Sequence, residues 1–175
     1  LLYNHPRVNI AESTYVDNWV VDKNNTLWLT FVGKGIVGLS LPDFKPQYHY
    51  SSANSIINNN VYSAQLDEEG DLWFSTHNGI YSMDIESHHF RNFSNKHGLS
   101  GKEFNASAGS LLPSKRMIYG GMSGINVFDP IELKALQVKE DFVVTITNVS
   151  ALSRELNLPL ILDSEKPVEI EYDDV

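Results

Sequence analysis

Asp67-Glu68-Glu69-Gly70-Asp71-Leu72-Trp73-Phe74-Ser75-Thr76-His77-Asn78-Gly79-Ile80 has a counterpart 45 residues upstream. There Asp22-x4-Leu27-Trp28-Leu29-Thr30 leads into Gly35-Ile36. The step from Asp22 to Asp67 is 45 residues, and so is the step from Trp28 to Trp73. A weaker third copy reads Met117-Ile118-Tyr119-Gly120, then Gly124-Ile125, and keeps the 45-residue step from Trp73 to Ile118 and from Gly79 to Gly124. Only the first Gly-Ile step differs, at 44 residues. Self-similarity at this period marks units that stack on one another, and such units bind more often than they catalyse.

Each copy has one internal grammar. A short β run (Val16 to Val21, Val61 to Leu66) meets an acidic turn, Asp22-Lys23-Asn24-Asn25 or Asp67 to Asp71. Asp, Asn and Gly form turns through side-chain bonds to nearby backbone and tolerance of positive φ. A second run follows (Thr26 to Phe31, Leu72 to Thr76), then a glycine turn and a third run (Ile36 to Leu41, Ile80 to Ile85). An aromatic-rich fourth run closes the unit, Gln47 to Tyr50 or His89 to Phe93. Four short antiparallel strands in this length make one propeller blade. A β-sandwich would give regular strand spacing without the long self-similarity. The expected class is therefore all-β: about three four-stranded β-propeller blades, a partial propeller.

The third unit is irregular. Phe104 to Leu112 supplies its first run, Pro113-Ser114-Lys115-Arg116 replaces the acidic turn, and Met117 to Gly120 and Ile125 to Phe128 follow. Asp129-Pro130 then breaks the pattern, because proline cannot donate to a ladder. No fourth run is evident; in a closed ring that strand would come from the other end of the parent chain. Ile131 to Glu140 reads as a linker or short helix. From Asp141 the texture becomes β-branched (Phe142 to Val149), with further runs at Leu158 to Leu162 and Val168 to Tyr172. The expected organisation is a partial propeller over 1–130 (blades about 15–50, 60–94 and 103–129), a linker over 131–140, and the truncated start of a second β domain over 141–175. The chain opens without Met and stops in what reads as mid-strand, so it is expected to be a piece of a longer protein.

Composition limits the function. The net charge of −9, from 13 basic and 22 acidic residues, argues against a nucleic-acid backbone or an anionic membrane surface as partner. The chain has no cysteine, which excludes disulfides, thiolate metal sites and cysteine nucleophiles. No apolar run is long enough for a transmembrane helix, so any membrane association is expected through segments outside this sequence.

The run Asp67 to Ile80 resembles the two-component regulator propeller repeat, whose pattern is D-x-x-G-x-L-W-[IF]-[GS]-T-x-x-G-[IL]. The first unit is similar but looser: Asn25 stands where the turn glycine is expected, and Phe31-Val32-Gly33-Lys34 is one residue longer. Gly120-Gly121-x-x-Gly124-Ile125-Asn126-x-Phe128-x-Pro130 resembles the last blade of such propellers. In that family the last blade precedes a triple-tyrosine (Y_Y_Y) domain, an immunoglobulin-like sandwich, and Phe142 to Asn148 with Val168 to Tyr172 look like its first strands. The resemblance implies the periplasmic, extracytoplasmic sensor region of a bacterial membrane receptor. Its output would be a histidine kinase or a diguanylate cyclase, encoded elsewhere, and in several such sensors the ligand is a carbohydrate.

Several residues invite sharper readings than they support. Trp28 and Trp73 could be sugar-stacking platforms, but an aromatic recurring at one register is what stacked sheets bury. Gly35, Gly79 and Gly124 read as turn glycines, since no helix start follows to cradle a phosphate. The acidic turns lack EF-hand spacing and read as solvated turns. His88 and His89 are strand neighbours that point apart, so they do not share a metal. Ser75, His77 and Asp84 supply the residue types of a hydrolytic triad without a nucleophile elbow. No catalytic residue, metal site or cofactor is expected.

The better candidates follow from blade geometry. The loop entering an inner strand and the turn between second and third strands share one propeller face. Here these are Asn58, Asn59 and Asn60 with Thr76, His77 and Asn78, plus Phe31, Lys34, Met122 and Ser123. Their amide, hydroxyl and imidazole groups suit a small, polar, neutral ligand such as a glycan, although Asn and Gly are also plain loop formers. The leading expectation is a non-catalytic ligand-sensing module. A propeller hydrolase or lyase with a central-channel site and a structural interaction scaffold remain the alternatives. An arc of three blades is also expected to self-associate through its uncovered end faces.

Overall fold

The computed structural model describes residues 15–55 and 57–136, together with the strand segments 145–146, 149–151, 154–156 and 160–161. The chain divides into two compact units, Leu1–Val138 and Lys139–Val175.

The first unit is three antiparallel sheets in succession. β1 (Tyr15–Val21), β2 (Thr26–Val32), β3 (Gly35–Ser40) and β4 (Lys45–Tyr50) form the first, in the order β1-β2-β3-β4. β5 (Val61–Leu66), β6 (Leu72–Thr76), β7 (Gly79–Met83) and β8 (Phe90–Phe93) form the second in the same way. β9 (Phe104–Leu111), β10 (Met117–Gly121) and β11 (Gly124–Phe128) form the third, which ends at three strands. These are the expected blades. The innermost strands β1, β5 and β9 pack side by side. In the second unit β12 (Thr145–Ile146) pairs with β15 (Leu160–Ile161), and β13 (Val149–Ala151) with β14 (Arg154–Leu156). The expected run Val168 to Tyr172 lies outside the described residues.

The recurring aspartate and tryptophan explain the repeat. Asp22 Oδ1 accepts the backbone N–H of Asn24 and of Thr26, both at 2.8 Å, and its Oδ2 accepts the Trp28 indole N–H at 2.8 Å. Asp67 does the same one blade later, with the N–H groups of Glu69 (3.0 Å) and Asp71 (2.9 Å) and the Trp73 indole (2.8 Å). Both aspartates are buried, which corrects the expectation of wholly solvated acidic turns: the first carboxylate of each is an interior acceptor. The indoles, held edge-on by that bond, place their rings between sheets. Trp28 joins Ile57, Val61, Leu72 and Phe74 between the first two blades; Trp73 joins Phe104, Met117 and Tyr119 between the second and third. Both tryptophans have no solvent exposure, as the packing reading requires.

The turn itself is the same in all three blades even where its sequence is not. Asn25 (φ 58°), Gly70 (φ 91°) and Lys115 (φ 66°) occupy one position with left-handed backbone. Each donates its N–H to the residue three earlier: Asp22, Asp67 and Leu112 respectively. Asparagine tolerates this region better than most residues, so Asn25 stands in for the expected glycine. In the third blade Leu112 replaces the aspartate and Ile118 the tryptophan.

Coverage decides the burial of each blade. The middle blade has neighbours on both faces, so β6 and β7 are buried along their whole length. Burial on the outer blades is uneven: Phe31, Val37 and Leu39 of the first are buried, while Tyr15 (64% exposed), Trp19 (65%) and Ile125 (69%) stand in solvent.

Asp129-Pro130 starts a helix rather than only ending a strand. Asp129 Oδ1 accepts the N–H groups of Ile131 (2.9 Å) and Glu132 (3.2 Å), and Pro130 sits at the first helical position, where its missing N–H costs nothing. The resulting helix, α1 (Pro130–Ala135), buries Leu133 in the cluster around Trp73. It lies within the first compact unit.

Asp67→Ala leaves the Trp73 indole and two turn N–H groups without their acceptor. It is expected to cost about 3 kcal/mol in urea denaturation. Asp67 also bonds the Lys134 ammonium at 2.8 Å, and Asp22→Ala, with the indole and turn bonds alone to lose, is expected to cost about 2 kcal/mol.

Candidate functional site

The candidate face is built by backbone staples between consecutive blades. Gly33 and Gly35, in the β2–β3 turn, donate their N–H groups to the Asn59 carbonyl at 3.0 and 2.8 Å. Gly79, opening β7, donates to the Lys102 carbonyl at 2.7 Å. Met122, in the β10–β11 turn, donates to the Glu103 carbonyl at 3.0 Å. Each hairpin tip is thereby tied to a loop that enters an inner strand. The tight approach needs glycine at position 79, whose φ is +99° and where a Cβ would lie 2.3 Å from the Phe93 carbonyl oxygen.

These ties gather most of the expected residues. Val61 pairs with Thr76, which puts Asn60 beside His77. Asn58 Oδ1 accepts the Asn60 N–H at 2.8 Å, and Asn59 Oδ1 accepts the Ser52 N–H at 2.8 Å, so the triple-asparagine loop is held by its own amides. The half-buried Lys34 presents its carbonyl to His49 Nε2 at 2.9 Å. Met122 and Ser123 are exposed at the third hairpin tip, with Ser123 against Gly101.

Two expected residues do not present side chains on this face. Phe31 is 1% exposed and packs with Val37 and Leu39 on the side of the first sheet opposite Trp28. Thr76 is fully buried: its hydroxyl donates to the Gly79 carbonyl at 3.0 Å and accepts the Asn78 N–H at 2.8 Å. Both stand at the end of a strand, where strict side-chain alternation still sends every second residue inward.

Three polar residues lie at this face that the sequence did not single out. Tyr62, on the inner strand β5, bonds its hydroxyl to His77 Nε2 at 2.8 Å. Burial raises the Tyr62 hydroxyl above the usual tyrosine range, and the nearby Asp17 charge adds to it. Further out, Asn92 Nδ2 donates to the Asn78 carbonyl at 2.9 Å. Tyr81, raised by burial, is held by the side chains of Asn78 and Asn92. The face thus offers an exposed imidazole on a fixed phenol and an exposed amide on a second amide and phenol. It can hydrogen-bond hydroxyl and carbonyl groups.

The triad types do not assemble. Ser75 is buried with its hydroxyl unpartnered, His77 Nε2 is bonded to Tyr62, and Asp84 Oδ1 accepts the N–H groups of Glu86 and Ser87. His88 Nδ1 meets the Tyr50 hydroxyl at 2.7 Å, while His89 is exposed.

The opposite face has a charged cluster. The carboxylates of Asp67, Glu69 and Asp71 lie within 4.8 Å of one another, a spacing that a metal ion could use. The Lys134 ammonium of α1 sits among them, 2.8 Å from Asp67 and 2.7 Å from Asp71, and is also bonded to Glu69. Burial alone would lower the lysine pKa, but its bonds to Asp67, Asp71 and Glu69 outweigh that and hold it above the ordinary range. Asp71, sharing one cation with two other carboxylates, is raised by burial against the pull of Lys134. A groove of about 490 Å³ beside the cluster is lined by Asp84, Ser87, His89, Arg91 and Ala135, among others.

Residues 55–78 match the family model described as two component regulator propeller. The matched segment runs from the asparagine loop through β5 and β6 to the tip of the β6–β7 hairpin. No curated protein matches the chain by sequence. The chain is similar in structure to the extracellular domain of BT3049 from B. thetaiotaomicron, described as a hybrid two component system. Identity is 16% over 85% of this chain and 20% of that one, with a TM-score of 0.62. The extracellular domain of BT4673 from the same organism, described likewise, is 14% identical over 76% of this chain and 19% of that one, with a TM-score of 0.56. The chain spans about a fifth of the length of these solved chains. The likeness is one of fold, all-β and propeller-like.

Lys134→Met is expected to lose about 3 kcal/mol at neutral pH, because three crowded carboxylates lose their cation. The raised pKa of Asp71 means that the folded state takes up a proton more readily than the unfolded chain. Stability therefore rises as pH falls through that raised value, and the variant should recover part of its loss in mild acid. Urea denaturation of both proteins at two pH values measures this. A loss independent of pH would mean that carboxylate crowding is not its cause.

Proposed function

We propose that this chain belongs to the extracytoplasmic, periplasmic ligand-sensing region of a bacterial membrane signalling receptor and is itself non-catalytic. The observation that carries this reading is the position of the family match. Residues 55–78 contain both segments of the candidate face on the middle blade, Asn58 to Asn60 and Thr76 to Asn78. The description of the structural relatives as extracellular domains of hybrid two component systems supports the same reading. The ligand would be small, polar and largely uncharged, a carbohydrate by preference, since the face offers amides, a hydroxyl and an imidazole held in place by Tyr62 and Asn92. Binding would act by favouring one arrangement of blades and following domain over another, with the change passed to a kinase or cyclase encoded elsewhere.

The exposed Tyr15, Trp19 and Ile125 at the two ends of the blade series favour a partner there, either another blade or another copy of the chain. In light scattering the chain is expected to self-associate with rising concentration; a monomer at all dilutions would count against this.

The ligand reading is tested by titrating a panel of neutral oligosaccharides against the whole receptor ectodomain by calorimetry. His77→Ala and Asn78→Ala are expected to weaken binding of any hit about tenfold each, while urea midpoints stay close to wild type. Unchanged affinity in both variants would remove this face from the site.

A further inference from the structure

We propose that the bulges of the inner strands form an oxyanion seat for a carboxylate at the propeller axis, filled in this structure by Asp17. This rests on the axis geometry alone and is independent of the ligand face.

All three inner strands lose register at one level. The pairing of β1 with β2 shifts between Val16 and Asn18, leaving Asp17 as the extra residue. The pairing of β5 with β6 shifts between Tyr62 and Gln65, and the partner of β9 shifts between Tyr119 and Gly121. At the two later bulges a serine adopts left-handed backbone, Ser63 with φ 51° and Ser107 with φ 53°. The two are 44 residues apart, one short of the repeat period, and each lies within the inner-strand bulge of its blade. Serine is not favoured there, and a strained conformation recurring in successive bulges asks for a cause. The extra residue of a bulge is left out of the ladder, so its backbone N–H can turn to an acceptor other than the neighbouring strand.

The N–H groups converge on one oxygen. Asp17 Oδ2 accepts from the Ser63 N–H at 2.9 Å and from the Ser107 N–H at 3.2 Å. The Ser107 hydroxyl donates to Asp17 Oδ1 at 3.0 Å. A single carboxylate thus takes three donors from the next two blades, 46 and 90 residues away in sequence. None of the three is a cation, so the seat recognises an oxyanion by direction rather than by net charge, in a chain that is itself anionic. Ser63 contributes only its N–H; its Cβ lies against Gly109, where an added Cβ would come within 2.6 Å. Asp17 is half-buried and Ser107 exposed, so the seat opens to solvent and a small free carboxylate can reach it once the aspartate side chain is removed.

The test is chemical rescue of Asp17→Ala in the full chain. The substitution is expected to lower Tm by about 5 °C. Sodium formate should restore part of this, saturably, while sodium chloride at the same ionic strength should not. Formate should leave wild type unchanged, because Asp17 already fills the seat, and should fail on the double variant Asp17→Ala/Ser107→Ala. In 15N-labelled Asp17→Ala, formate should move the Ser63 and Ser107 amide protons downfield. If Asp17→Ala does not fold, Asp17→Asn serves, and both amides should move upfield relative to wild type. Formate stabilising wild type as much as the variant, or amides of Ser63 and Ser107 that respond to neither formate nor substitution, would overturn the proposal.

Discussion

The bond from the Trp73 indole to the buried Asp67 carboxylate, with its twin from Trp28 to Asp22, is the contact on which the rest of the fold depends. It ties three things that would otherwise be independent. The aspartate closes the turn between the first two strands of a blade by taking two of its N–H groups. It satisfies the one polar atom of an otherwise apolar ring, which lets the indole be buried completely. And it fixes the ring's tilt, so that its flat faces fill the gap to the next sheet. The two residues are useful only together: either alone would leave a buried donor or a buried charge without its partner. The third blade follows that logic, with Leu112 and Ile118 replacing both at once.

Lys134 extends the same contact beyond the blade. By bonding Asp67, Glu69 and Asp71 it uses the turn carboxylates as an anchor for α1, and Leu133 presses the helix onto the apolar cluster around Trp73. Arg91, on the outer strand of the middle blade, closes the arrangement by donating to the Lys134 carbonyl at 3.2 Å. The middle blade is therefore held on both faces and along its underside. The outer blades keep aromatic and aliphatic side chains in solvent.

Much of this architecture could be read directly from the chain, because blade strands are local and their periodicity is visible. The eleven described strands of the first unit fall where the 45-residue grammar puts them, to within a residue or two. What escaped was of two kinds. Some residues have a role that depends on direction: Phe31 and Thr76 lie at strand ends, and only the register says that they point inward. Asp22 and Asp67 looked like solvated turn formers because nothing in a local stretch shows an indole reaching back six residues. Other contacts are distant. Tyr62 meets His77 across a hairpin, and Asp17 meets Ser107 across 90 residues, at bulges that a strict period cannot register. Asp129-Pro130 was legible only in part. The proline that ends strand pairing also begins α1, and the second role needs the aspartate's capping bonds to be seen.

The staples that tie one hairpin to the next loop have a consequence for how such a protein can change. All of them run between main-chain atoms: Gly33 and Gly35 to Asn59, Gly79 to Lys102, Met122 to Glu103. No side chain at positions 77–78, 102–103 or 122–123 is needed to make them, whereas Asn58 and Asn59 also hold their own loop through side-chain oxygens. At the first set of positions the scaffold under the face is indifferent to what the face displays. Chemical specificity can drift at these positions without asking the blades to refold, and one frame can serve a succession of different recognition surfaces.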